Sequence, residues 1–143
     1  MSLILKGFLI FILLYLISNI LVMNSSFGIS VDSINSTLFG NEDEYVDPIT
    51  ESAFLEFWHT EIFFIMMILF TLNAVFIRVA KRSRIILTNV LMISAITSLI
   101  SLALAYYVSD FFINIYVYTF FIWHIMAAYI SLYSFWKLNA SSV

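Results

Sequence analysis

Between Arg84 and Lys137 the chain carries a single charged side chain, Asp110. As one helix, the stretch from Ile85 to Phe135 would run about 76 Å, more than twice the roughly 30 Å of bilayer hydrocarbon. It must therefore turn back at least once, and Ser109-Asp110 is its most polar break. A water-soluble fold is excluded by composition. The chain is 63% hydrophobic and 10% charged, whereas soluble domains carry about 25% charged residues. A chain of 143 residues has too little interior to hide that much apolar surface from water.

Two more apolar runs bring the expected spans to four. Residues 3–23 are broken only by Lys6, Gly7 and Ser18-Asn19. This run is longer than a signal-peptide core and no A-x-A-like site follows it, so it reads as an uncleaved anchor. Residues 24–53 form a polar loop rich in Ser and Asn, with the acidic cluster Glu42-Asp43-Glu44. Asp47-Pro48 predicts a helix start, because Asp caps free N–H groups and Pro tolerates the first helical position. The second span covers 54–77, a basic turn 78–84, and the third and fourth spans 85–107 and 111–135. The expected fold is a single all-α integral membrane domain, a four-transmembrane-helix bundle.

Charge falls on this pattern in one way only. Lys6, Arg78, Lys81, Arg82, Arg84 and Lys137 all reach one side of the membrane, while Asp32, Glu42, Asp43, Glu44, Asp47, Glu51, Glu56, Glu61 and Asp110 reach the other. Lys and Arg concentrate in short loops that are not translocated. Both termini are accordingly expected inside and the acidic loop extracytoplasmic. Residues with AT-rich codons dominate, which suits a bacterial cytoplasmic membrane or an organellar inner membrane.

Several chemistries are excluded. The chain has no cysteine, hence no disulfide, thiolate metal site or Cys nucleophile. A net charge of −3 gives no footprint for nucleic acid. No Gly-rich phosphate loop, nucleophile elbow or HExxH is present. What remains is a handful of polar residues within apolar helices. His124 lies 13 residues before Lys137, near the bilayer midplane, where a polar ring is costly without a partner. At helical spacing it shares a stripe with Asn114, Val117, Phe121, Ala128, Ser131 and Phe135, a face expected to point into the bundle. His59 lies at the outer interface, one turn after Glu56 and two residues before Glu61, where a carboxylate–imidazole hydrogen bond is available. Asn73 is expected to bond across helices. Ser94, Ser98, Ser101 and Ala105 form a small-residue packing stripe.

A haem b held between His59 and His124 meets a geometric objection. His59 lies 19 residues from Arg78 and His124 lies 13 from Lys137, an axial offset of about 8–9 Å for ligands that must face each other across one iron. A haem b or quinone held by His124 with a partner's ligand remains open. Three functions follow. The first is a small non-catalytic subunit or assembly partner, set in lipid among other integral membrane subunits of a larger complex, with energy-transducing or respiratory complexes the commonest hosts. The second is a haem- or quinone-binding redox subunit. The third is a proton-linked carrier with a path from His59 or Glu61 to His124 through Asn73 and Asn114.

Overall fold

A computed structural model describes residues 2–80 and 85–140. The chain forms α1 (Ser2–Ser26), α2 (Val31–Phe39), α3 (Glu51–Val79), α4 (Ile85–Tyr107) and α5 (Phe111–Ala140). All but α2 are long and apolar enough to cross a bilayer, and no strand is present among the described residues. Lys81, Arg82 and Arg84 of the expected basic turn lie outside the described residues.

The long helices alternate in direction, as two apolar clusters reveal. One joins Leu9 and Ile12 near the start of α1 to Val75 and Phe76 near the end of α3, Leu91 early in α4 and Ile130 late in α5. The other joins Met23 at the end of α1 to Phe54 early in α3, Leu102 and Ala105 late in α4, and Ile113 and Tyr116 early in α5. Lys6, Arg78 and Lys137 therefore lie toward one end, the cationic end, and Glu51, Glu56 and Asp110 toward the other, the acidic end. Helix α5 touches each of the other helices. Its widest seam is with α4, where Ser94, Ala95, Ser98, Ser101 and Ala105 are buried, since small side chains let two backbones approach closely. The connection between them is tight: Val108 and Ser109 both donate to the Leu104 carbonyl, at 2.9 and 3.1 Å.

The polar segment 24–53 holds more structure than its composition suggests. Ser30 and Ser33 cap α2 reciprocally, each hydroxyl accepting the other's backbone N–H at 3.2 and 3.1 Å. Ile34 and Leu38, one turn apart, are buried beneath the helix. Gly40, at φ 83°, ends it in a conformation that favours glycine. Helix α3 does not start at Asp47-Pro48. The N–H of Ile49 instead donates to the Thr37 carbonyl at 2.9 Å, which ties this stretch back to α2 in extended form. Thr50 becomes the cap, its hydroxyl accepting from the Ala53 N–H at 3.3 Å.

Candidate intramembrane polar site

Near mid-bundle, three helices each contribute one polar side chain to a continuous hydrogen-bonded chain. Asn19 on α1, 6% exposed, stands between Glu61 on α3 and His124 on α5, the latter 3% exposed. The Asn19 amide nitrogen donates to Glu61 Oε1 at 3.0 Å and to the Tyr15 hydroxyl at 3.3 Å. Its carbonyl oxygen lies 3.0 Å from His124 Nε2. The other ring nitrogen, Nδ1, lies 2.8 Å from the Phe120 carbonyl. Phe120 and Trp123 pack on the imidazole with ring centroids at 4.2 and 3.8 Å.

Depth explains why these residues meet. Asn19 follows Lys6 by 13 residues and His124 precedes Lys137 by 13, placing both about 20 Å from the cationic end. Glu61 precedes Arg78 by 17 residues, about 26 Å, so it approaches Asn19 from the acidic side. A hydrogen-bonded polar side chain on each of three helices is also what locks α1 in rotation. Its apolar residues ring the helix without a preferred face, so packing alone would leave that rotation poorly specified.

The hydrogen-bond polarity restricts where protons sit. A carbonyl accepts only, so Nδ1 must carry hydrogen to face Phe120. With the Asn19 oxygen toward Nε2, that nitrogen also carries hydrogen, the ring is an imidazolium, and a Glu61 carboxylate balances it. Turning the amide over gives the second closed arrangement. The Asn19 nitrogen then donates to a neutral imidazole, and a protonated Glu61 donates to the Asn19 oxygen. Both forms hold one proton between Glu61 and His124; adding a second proton also closes the chain but leaves an uncompensated imidazolium in the bundle, which burial makes costly. A neutral imidazole beside a carboxylate closes neither way, because one end of the amide then meets a group of its own polarity, and an unsatisfied buried pair is costly.

The other sequence-derived candidates are dispersed. His59 and Glu56 are exposed on α3 and do not join the site. Asn73 donates to the Met92 sulfur on α4 at 3.2 Å, while its oxygen is buried without a partner. Ser131 is fully buried with an unpartnered hydroxyl. Asn114 faces outward. The buried face of α5 runs through Ile113, Tyr116, Phe120, Trp123, Ala127 and Ile130, so only His124 and Ser131 of the expected stripe are fully buried. Asn19 and Tyr15 were not among the candidates. The signal was the matching 13-residue spacing of Asn19 and His124 from basic residues.

The site does not suit haem or quinone. Both ring nitrogens of His124 are engaged, leaving none for iron or for a quinone carbonyl. The groove of about 290 Å³ beside the ring is walled by apolar side chains such as Leu16, Ile20 and Ile125. No group of three or more His, Cys, Asp or Glu that could hold a metal occurs among the described residues.

A family model described as Aq_1264_TM, a transmembrane helical domain, matches residues 28–142. The chain belongs to this family. The matched region contains Glu61 and His124, whereas α1, which supplies Asn19, precedes it. No curated protein and no solved structure matches the chain.

Proposed function

We propose that the chain is a proton-linked integral membrane protein in which Glu61 and His124 share one proton, with the orientation of the Asn19 amide set by which of them holds it. The observation that carries this reading is the Asn19 bridge, with Glu61 and His124 each 3.0 Å from one end of a single amide. Ionisable side chains inside a bilayer are expensive, and carboxylate–histidine chains are the usual parts of proton relays. The bundle orients by its charges, with Lys6, Arg78 and Lys137 on the cytoplasmic or matrix side and both termini there. Glu61 then lies in the outer half of a bacterial cytoplasmic or organellar inner membrane. In proteoliposomes with an imposed pH gradient and a trapped pH dye, the intact protein should carry proton flux. E61Q and H124A should each lose it, and flux unchanged in both variants would overturn the proposal.

A second reading, a non-catalytic subunit or assembly partner of a larger and energy-transducing membrane complex, is favoured by Asn114. That amide faces outward in the first turn of α5, at the acidic end, beside exposed Phe111 and Tyr118, a mixed polar and aromatic surface of the kind on which a neighbouring membrane subunit docks. Mild solubilisation should then co-purify partner subunits, and N114L should release them. A lone monomer under those conditions would contradict this reading.

A further inference from the structure

Away from the polar site, a groove of about 450 Å³ runs between α1 and α3 toward the cationic end. One wall is Leu5 and Phe8 of α1. The other is a stripe of α3 at helical spacing, Met67, Thr71, Ala74 and Val75, ending on Arg78. From Met67 to Arg78 the stripe is about 16 Å long. Arg78 is exposed and is the one charged residue lining the groove. Lys6, next to Leu5 on α1, adds a second positive charge at the same end.

A largely apolar trough open to the bilayer and closed by a guanidinium at headgroup depth has the outline of a phospholipid. The small Ala74 side chain leaves room for an acyl chain, and Arg78 presents the planar donor fork that pairs with phosphate. Basic pockets between membrane helices on the non-translocated side recognise anionic headgroups. We propose that this groove binds a membrane phospholipid with an anionic headgroup, its acyl chain along the α3 stripe and its phosphate on Arg78. The site is independent of the proton reading, since none of its lining residues belongs to the Glu61–Asn19–His124 chain.

Native mass spectrometry of the full chain in neutral detergent tests this, titrating phosphatidylglycerol against phosphatidylcholine with identical acyl chains. The wild type should bind phosphatidylglycerol about fivefold more tightly, the effect of one basic residue at the headgroup level. R78Q should remove most of the preference, leaving only the more distant contribution of Lys6, and R78K should keep it. K137Q removes the same charge away from the groove and should also keep it. A74W, which fills the trough, should reduce binding of both lipids. Equal affinity for the two lipids, equal loss in R78Q and K137Q, or a dimer of the chain in place of a lipid adduct would overturn the proposal.

Discussion

The acidic and cationic halves of the bundle are held together by different physics. In the acidic half, Phe54 stacks on Tyr106 with centroids at 4.1 Å and Phe27 on Phe57 at 4.7 Å. Trp58 Nε1 donates to the Leu99 carbonyl at 2.9 Å, and α2 adds Ile34 and Leu38 to the core. The cationic half is mainly aliphatic, built on residues such as Leu9, Ile12, Leu72 and Leu91. It also contains the unpartnered buried polar atoms found among the described residues: Asn73 Oδ1, Thr88 Oγ1, Trp123 Nε1, Ser131 Oγ and Ser134 Oγ. Directional contacts across helices are concentrated in one half, and the other relies mostly on apolar packing, with the Asn73–Met92 bond and the Phe76–Tyr133 edge contact among its exceptions. The polar site lies where the two meet, so Asn19 is the point at which α1 passes from one regime to the other.

The largest effect should come from cutting that junction. N19L leaves Glu61 and His124 facing an apolar side chain, and with two hydrogen bonds to ionisable groups lost it should cost about 2–4 kcal/mol. Thermal unfolding in detergent should show a drop of many degrees, and an unchanged midpoint would mean that the bridge does not fasten α1. W58F removes one directional bond of the acidic half and should cost about 1 kcal/mol, visible in the same assay. S30A removes the cap of α2 at about 1 kcal/mol of local stability. Hydrogen exchange should quicken across residues 31–39 and not in the cationic half, and exchange rising equally in both halves would erase the contrast. Smallest of all, S131A and S134A should change stability by about 0.5 kcal/mol or less, or raise it slightly, because neither hydroxyl has a partner to lose. A large destabilisation by either would show that these two hydroxyls help hold the cationic half together.

Much of the architecture could be read from residue order, for physical reasons that also mark where reading stopped. Apolar runs too long to stay in one span, together with the unmixed ends of basic and acidic residues, are enough to specify four helices. The short α2 escaped notice because two turns among Ser and Asn give weak periodicity, although Ser30, Ser33, Ile34 and Leu38 carried its cap and its buried face. The start of α3 moved from Pro48 to Glu51 because a tertiary bond, Ile49 N–H to the Thr37 carbonyl, overrode local helix-start chemistry. The buried face of α5 was misplaced toward Asn114 because that helix is apolar all round, so hydropathy could not say which side meets α4. His124 stood out by its cost at mid-membrane. Its partner did not, since one Asn in an apolar run gains meaning only when helix depths are compared across the bundle.

The central claim is that Glu61 and His124 hold one proton between them through Asn19. Solid-state NMR of the intact protein in lipid bilayers can read both sites at once, from the ring nitrogens of His124 and the carboxyl carbon of Glu61. Near neutral pH the imidazolium fraction of His124 and the carboxylic-acid fraction of Glu61 should sum to one, and N19L should break that sum. A neutral imidazole coexisting with a Glu61 carboxylate in the wild-type protein would contradict the account.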